Sequence, residues 1–383
     1  MIRITMPENN TTPTIDRKQL AADISAIQKQ VLAESSPKDD LRFFKKMEWW
    51  GRLCTIAGYA TAWILPNPIS ALLISQGIFT RWALVTHPVS HGGYDKIPGV
   101  PKRYTSKGFA RGWRRFLDWG DWIHPDAWDQ EHNRLHHYKL GELEDPDHLQ
   151  FNMQWLRHSR IPMWIRYLIV ALFACFWKAA YYSPNALLEL RKARAKKKGE
   201  TAPDTFISRE AWSVFSPHGR ELWFGNLLPY IAFRFVLIPA LFFPLGQQAV
   251  LFVLINSVLA EIFTNLHAFL VIVPNHAGDD VPLFRESTDS KGEFFFRQIV
   301  GSVNYPTGSN GIDFLHGGLN YQIEHHIWPK MPLRQYRKAQ PKVRALCEQK
   351  GIPYIQESVF VRLKKAVDIM VGRTSMLEQP TVS

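Results

Sequence analysis

The amino-acid sequence predicts an all-α integral membrane protein, with two hairpins of transmembrane helices that form a four-helix bundle beneath a helical cap. Two long stretches support this prediction. Residues 53–80 contain no charged side chain, and a Pro-Asn-Pro run at 66–68 interrupts them near the middle. Residues 222–273 carry only three ionisable groups and turn near 244–246. A span needs about 20 apolar residues, so each stretch, with its flanks, accommodates two helices and a turn.

The overall composition separates this prediction from two other classes of protein. Mean hydropathy is −0.18, which argues against a transporter buried entirely in the membrane. A formal net charge of +12 can indicate nucleic-acid binding, but the basic residues flank the apolar stretches and no nucleic-acid motif is visible. The charge therefore fits loops that face an anionic cytosolic leaflet.

The cysteines and the N-terminal residues indicate the cellular compartment that the polar segments face. Cys54, Cys175 and Cys347 are far apart and odd in number, so they form neither a disulfide framework nor a Cys-x-x-Cys metal motif. A reducing, cytosol-facing environment is expected. Residues 1–48 are polar and lack the apolar core of a signal peptide, so we expect the first membrane helix to direct insertion.

The helical elements divide the chain into three parts. Residues 1–45 are predicted to form a cytosolic tail with an amphipathic helix from Asp16 to about Glu34, because apolar residues recur there at helical spacing. Residues 46–340 form the main domain, and residues 341–383 form a C-terminal cytosolic tail. The transmembrane helices are predicted at about 46–65, 69–87, 222–243 and 249–273.

The apolar run at residues 167–177 is too short to be a further span. Arg166 and Lys178 close it after 11 residues, a length that suits an interfacial or re-entrant helix at about 161–182. Two hairpins alone return the chain to its starting side each time. The polar segments 87–160 and 275–383 then share one face of the membrane.

Most of the 14 histidines fall in four places beside the predicted helices. Residues four apart share one helical face, so the pairs His87/His91 and His132/His136 each direct two ring nitrogens to one side. Imidazole binds zinc, copper, iron and nickel alike. Zinc normally takes three or four ligands, whereas about eight nitrogens suit two metals, which favours a redox centre. The four places are His87-Pro-Val-Ser-His91, His132-Asn-Arg-Leu-His136-His137, Asn275-His276 and Gln322-Ile-Glu-His325-His326.

Other polar residues near these clusters have two interpretations each. The carboxylates can accept the second N–H of a ligating histidine or can simply be exposed. His267, Glu261 and Asn265 either line the inner end of a substrate tunnel or pack helices together. Arg234 is expected to extend its charge toward the interface. The carboxylates are Asp129, Glu131, Asp145, Asp147 and Glu324; the histidines given structural or supporting roles are His124, His148, His158, His218, His267 and His316.

The histidine clusters resemble the three histidine boxes of the membrane fatty acid desaturases. The matching runs are HPVSH, HNRLHH with the following DPD, and GGLNYQIEHHIWP. Asn275-His276 resembles the additional ligand found before the third box, and the likeness runs from about residue 70 to 340. The third box begins with Gln322, a form similar to that of front-end and related acyl-lipid desaturases.

The resemblance implies that residues 46–340 are a fatty acid desaturase domain whose cap holds a di-iron site. Dioxygen is implied as co-substrate, together with two external electrons. Gln322 stands where other branches have a histidine, so it could bind metal weakly, act through a water molecule or not bind. His316 lies just before the third box, where no ligand is expected, so a variant of the metal site also stays open. The implied ligands are His87, His91, His132, His136, His137, His276, His325 and His326.

The implied electron donor is a separate protein. Many front-end desaturases carry a fused cytochrome b5 domain with an HPGG haem motif. Residues 1–48 are too short for that domain, and HPVSHGG is the first iron box. The electrons are therefore expected from a donor of the ferredoxin or cytochrome b5 type.

We therefore predict an oxygen-dependent desaturase that introduces a double bond into a lipid acyl chain. It is expected to be a multi-pass protein of a bacterial inner membrane or of the endoplasmic reticulum, with its active site on the cytosolic side. The first alternative is a hydroxylase that uses the same site. The second is a histidine-rich metal transporter, which is disfavoured because the clusters lie at helix ends and not across the bilayer midplane.

Overall fold

A computed structural model describes residues 15–288 and 290–378, and these residues are mostly helical. Within them, regular sheet is limited to one short parallel pair, β1 (Pro282–Leu283) and β2 (Leu377–Glu378). The all-α prediction is therefore confirmed. Residues 1–14 and 379–383, which belong to the predicted tails, lie outside the described residues, as does residue 289.

The amphipathic N-terminal helix is confirmed as α1 (Arg17–Ala33). The Asp16 side chain accepts hydrogen bonds from the backbone N–H groups of Lys18 and Gln19, which satisfies two of the free donors at the helix start. Leu20 and Ile24 are fully buried on one face. This face packs against two later helices, α9 (Lys291–Val300) and α12 (Leu333–Lys350), so the segment belongs to the folded core.

The next two helices form the first predicted hairpin. Helix α2 (Pro37–Ala62) packs along α3 (Pro68–Ser90). Gly77 permits the close approach, because a Cβ atom there would lie 2.0 Å from Thr55 Oγ1. The buried Asn256 side chain holds the turn, since it accepts from the backbone N–H of Asn67 and donates to two carbonyls of the turn.

Three helices among the described residues are long and apolar enough to cross a membrane: α3, α7 (Pro217–Leu245) and α8 (Gln247–His276). They contain three of the four predicted spans. The predicted span at 46–65 overlaps α2, which does not meet this measure of length and composition. Charged side chains such as Lys46, Glu48 and Arg52 occupy its middle turns.

The segment predicted as an interfacial or re-entrant helix has a sharp bend. Helix α5 (Met163–Ala174) and helix α6 (Lys178–Lys198) meet at 84°, and together they are long and apolar enough to be one broken span or a re-entrant loop. The bend lets α5 pack against both α8 and α13 (Val359–Val371). It therefore adds a wall beside the end of α8.

The remaining helices assemble at the end of the molecule where α3 and α8 finish. Helix α4 (residues 125–139) follows the loop after α3 and includes a π-helical part, Asp129–His136. Helix α12 crosses the start of the predicted C-terminal tail and α13 lies within that tail, and both helices pack into this region. The other helical elements of the described chain are the helices α10 (Asn310–Leu315) and α11 (Gln322–Ile327) and the short helical segments Lys102–Tyr104, Gly112–Arg114, Arg115–Asp118, Leu149–Asn152, Gln154–Arg157, Arg209–Trp212 and Leu319–Tyr321.

Candidate metal centre

Four separate elements bring their histidines to one buried place. His87 and His91 lie at the end of α3, and His276 is the last residue of α8. His325 and His326 lie on α11. Helix α4 supplies three more, and its π-helical hydrogen bonds run between residues five apart, so side chains four and five apart lie near one face. These three are His132, His136 and His137.

The eight histidines form two neighbouring groups. In the first group, five ring nitrogens, one from each residue, lie within 4.8 Å of one another; a second group of three meets the same limit. The groups adjoin, because the rings of His137 and His326 stack with their centroids 4.3 Å apart. The first group is His87, His91, His132, His137 and His325, and the second is His136, His276 and His326.

The spacing of the nitrogens suits shared metal ions. Nε2 of His132 lies 3.2 Å from Nε2 of His87 and 3.3 Å from Nε2 of His137. Nitrogens that bind one ion at about 2.1 Å stand about 3 Å apart. Nε2 of His325 and of His326 is buried, and neither has a hydrogen-bond partner within residues 15–288 and 290–378. A metal would satisfy these lone pairs.

Burial keeps most of these rings neutral, which is the form that binds a metal. It lowers the pKa of His132, His137, His325 and His326 well below the ordinary value, and neighbouring imidazoles lower it further. His136 is the exception. Burial lowers its pKa, but the adjacent Asp145 carboxylate outweighs this and raises the pKa above the ordinary value.

Hydrogen bonds at the second ring nitrogen fix the orientation of four of the rings. Nδ1 of His136 lies 3.0 Å from an Asp145 oxygen, and Nδ1 of His276 lies 3.0 Å from the carbonyl oxygen of Gly301. Such partners turn Nε2 toward the metal position and set the tautomer. The other two contacts are His325 Nδ1 to Tyr336 Oη, 3.2 Å, and His326 Nδ1 to Gln298 Oε1, 3.0 Å.

The five carboxylates suggested by the sequence have different surroundings. Asp145 contacts a histidine directly, and Asp147 lies 3.9 Å from the same Nδ1 atom. Asp129 instead pairs with Asn133 and Arg134. Glu324 accepts from Asn304 and Tyr354, and burial raises its pKa to about 7. Glu131 is fully buried, and burial and nearby carboxylates raise its pKa well above the ordinary value.

Gln322 is part of the same cluster. Its Nε2 atom lies 2.9 Å from Nε2 of His276, and its Oε1 atom is buried without a partner in the described part of the chain. The two ends of a carboxamide are interchangeable in such geometry. With the amide turned over, the oxygen would point beside the second histidine group, so the side chain is within reach of a metal there.

The other histidines lie outside the two groups. His124 and His148 accept hydrogen bonds from backbone N–H groups at the starts of short helices. His267 contacts the Leu315 carbonyl, and His316 contacts the Ile312 carbonyl. The remaining two are at least partly exposed; they are His158 and His218.

A narrow cavity of about 90 Å³ adjoins the histidines. Four of them line it: His87, His132, His136 and His276. Aromatic and aliphatic side chains from the α5–α6 bend, α8 and α13 form much of the remaining wall, which suits an apolar ligand. These side chains are Phe173, Trp177, Tyr181, Tyr182, Phe269, Ile272, Val273 and Met370.

Glu261 and Asn265 are absent from the lining of this cavity and pack helices together. The Glu261 carboxylate accepts hydrogen bonds from Trp122 Nε1 and Tyr230 Oη, both at 2.6 Å, and from Asn265. Arg234 is only 6% exposed, so its charge does not extend into solvent. It lies instead at a second cavity between the helices.

Comparison with known proteins finds similarity to desaturases at both the family and the single-protein level. The family described as "Fatty acid desaturase" matches residues 60–358. The chain is 26% identical over 372 residues, which cover 91% of this chain and 78% of its relative, to an NADPH-dependent stearoyl-CoA 9-desaturase of Mycobacterium tuberculosis. Over shorter stretches it is 36% identical to a Delta(5) fatty acid desaturase, fat-4, of Caenorhabditis elegans (24% and 20% of the two chains), and 42% identical to a Delta 8-(E)-sphingolipid desaturase of Lachancea kluyveri (18% and 12%).

Proposed function

The chain belongs to the fatty acid desaturase family, and from that premise we propose that it uses two irons and dioxygen to introduce a double bond into a lipid acyl chain. It is an oxidoreductase, and its family implies an acyl substrate and an electron donor. The observation that carries the proposal is the contact of an apolar cavity with histidines of both groups. A donor of the ferredoxin or cytochrome b5 type is the proposed source of electrons.

The eight clustered histidines are the proposed ligands of the two irons. The five-residue group would hold one iron and the three-residue group the other, with Gln322 beside the smaller group. Iron accepts imidazole nitrogen readily, and open positions leave room for oxygen. When bound, the irons supply, with dioxygen and two electrons, the oxidising power that an unactivated C–H bond requires.

The side chains of the cavity would place the acyl chain and exclude water. The histidine rings line one part of the wall, and Phe173, Phe269 and Met370 contribute apolar surface. An acyl chain of a membrane lipid is already out of water, so close packing against the wall would hold it without polar contacts. The carbon that lies nearest the histidines would then be the one oxidised.

The activity is tested by expression in a host with simple lipids, followed by mass spectrometry of its acyl chains. A new double bond that requires dioxygen and a reduced donor is expected. A hydroxylated chain would indicate the alternative hydroxylase. Metal flux that does not depend on oxygen, with no altered lipid, would indicate a transporter and contradict the proposal.

Asp145→Asn is expected to weaken Fe(II) binding by roughly 10–100-fold, the usual effect of losing a carboxylate behind a histidine ligand. The neutral amide would no longer favour the His136 tautomer that directs Nε2 to the metal. Competition with a chromogenic chelator measures the affinity. Asp129→Asn is the matched control, because that carboxylate pairs with Asn133 and Arg134 and not with a histidine. Equal affinities for the two variants would contradict a supporting role for Asp145.

We propose a multi-pass topology with the histidine centre on the cytosolic side. Helices α3 and α8 both finish at the centre, so their opposite ends lie across the membrane. The basic run at residues 191–198 follows the bend on the side favoured for positive charge. In a cysteine-free background, a membrane-impermeant maleimide added from the cytosolic side should label Glu200→Cys and not Gln248→Cys. Labelling of both from that side would contradict the topology.

A further inference from the structure

A second cavity, of about 420 Å³, lies away from the histidines. Residues of α2, α3 and α7 line it, together with the segment 103–120. It shares no lining residue with the cavity at the histidines: on α3, Val85 faces this cavity and Trp82 faces the other. Its volume is in the range of pockets that hold small molecules. The proposed acyl site therefore leaves this cavity unexplained.

The lining of this cavity carries an excess of positive charge. Four arginines face two carboxylates. One carboxylate, Glu48, bonds to Arg52. The other, Asp118, is held through both oxygens by Arg114, which is not part of the lining. The four arginines are Arg52, Arg81, Arg103 and Arg234.

Two of the arginines reach only neutral groups at hydrogen-bond distance. Arg81 donates to the carbonyl oxygen of Asp118 and lies 3.8 Å from the Glu48 carboxylate that Arg52 already occupies. Arg103 donates to the hydroxyl of Tyr104. Their positive charge is therefore incompletely matched inside the cavity.

Arg234 is the strongest sign of a missing anion. Its Nε and one terminal nitrogen are buried and have no hydrogen-bond partner among residues 15–288 and 290–378. The nearby Glu261 carboxylate is already bonded to Trp122, Tyr230 and Asn265. Buried N–H donors that lack partners inside a membrane span are costly. A bound anion would remove that cost.

We propose that this cavity binds the anionic headgroup of a membrane phospholipid, with its phosphate against Arg234. A guanidinium binds phosphate through two parallel hydrogen bonds. Most of the cavity wall is apolar, and Phe116, Leu117 and Phe233 are 48–64% exposed at its edge. In a membrane these side chains face lipid, so the acyl chains can continue across them while the phosphate stays inside.

Arg234→Gln is the direct test, read by native mass spectrometry of the detergent-solubilised full chain. The wild type is expected to bind phosphatidylglycerol at least about tenfold more tightly than phosphatidylcholine of the same acyl chains, a difference of about 1.4 kcal/mol. Arg234→Gln should lose this preference. The matched control is Arg220→Gln on the same helix, because Arg220 is exposed and does not line the cavity; it should bind as the wild type does.

Thermal unfolding separates loss of the site from loss of the fold. Without lipid, Arg234→Gln should unfold at or above the wild-type temperature, because it removes buried N–H donors that have no partner. Phosphatidylglycerol should raise the Tm of the wild type and of Arg234→Lys, and should not raise that of Arg234→Gln. An equal rise with inorganic phosphate alone would identify a free-phosphate site. That result, no preference in the wild type, or a preference retained by Arg234→Gln would overturn the proposal.

Discussion

Replacing His136 with alanine is expected to abolish product formation and to lower the iron content of the purified protein. His136 belongs to the smaller histidine group, with His276 and His326, and one of its nitrogens also lies within 4.8 Å of a His132 nitrogen and an Asp147 oxygen. Loss of a residue behind a ligand already costs 10–100-fold, so loss of this nitrogen should leave less than about 1% of the activity. Lipid mass spectrometry and iron analysis of the same preparation measure both effects.

His218→Ala is the control for this experiment. His218 is partly exposed, and its ring lies 3.7 Å from the Glu210 carboxylate, far along the chain from the clusters. Its replacement should leave product and iron unchanged. If His136→Ala made wild-type amounts of product, the assignment of the histidines as ligands would be wrong.

The histidine clusters were predictable because their spacing is local. On a helix, residues four apart share a face wherever that helix is placed. HPVSH and HNRLHH could therefore be recognised as candidate metal-binding motifs without knowledge of the fold. The apolar stretches predicted four spans, and three of these coincide with helices that are long and apolar enough to cross a membrane. Hydropathy was a poorer guide for α2, which carries charged residues in its middle turns. Its position beside α3 depends on packing, which the hydropathy of a single helix does not report.

The residues that hydrogen-bond to the clustered histidines were less predictable, because they come from distant parts of the chain. Gln298 lies 28 residues from His326, and Gly301 contributes only a backbone carbonyl, which carries no sequence signal. Tyr336 is closer to its histidine but lies on another helix. Asp145 could be suggested because it follows the second cluster directly. The sequence did not predict that Asp145 and not Asp129 contacts His136, because that contact depends on how the loop after α4 folds back toward the helix.

The wall of the cavity at the histidines depends on a helix bend, which the periodicity of the sequence does not predict. The sequence predicted an interfacial or re-entrant helix at about 161–182, and the 84° bend between α5 and α6 brings Phe173 and Tyr181 to the same cavity. Met370, from the far C-terminal helix, completes part of the wall. The sequence alone gave no reason to bring these segments together.

Replacing Arg362 with glutamine is expected to destabilise the protein by roughly 1.5–3 kcal/mol, the usual contribution of hydrogen bonds to a charged group. The Arg362 side chain is fully buried. Its guanidinium donates to both oxygens of Asp280, at 2.7 and 2.8 Å, and to the Ala277 carbonyl at 2.8 Å. Glutamine is too short to make these bonds together, so Asp280 would keep only its bond to Lys365. Chemical unfolding in detergent measures the loss.

Lys365→Gln is the matched control, because Lys365 contacts the same Asp280 carboxylate from the same helix but is 24% exposed. Exposed pairs contribute up to about 1 kcal/mol, so this variant should unfold near the wild type. Equal stability of the two variants would contradict a structural role for the buried pair. Since Ala277 directly follows His276, Arg362→Gln should also lower iron occupancy at the smaller histidine group. The last helix of the described chain would then hold a ligand in place, although it supplies none itself.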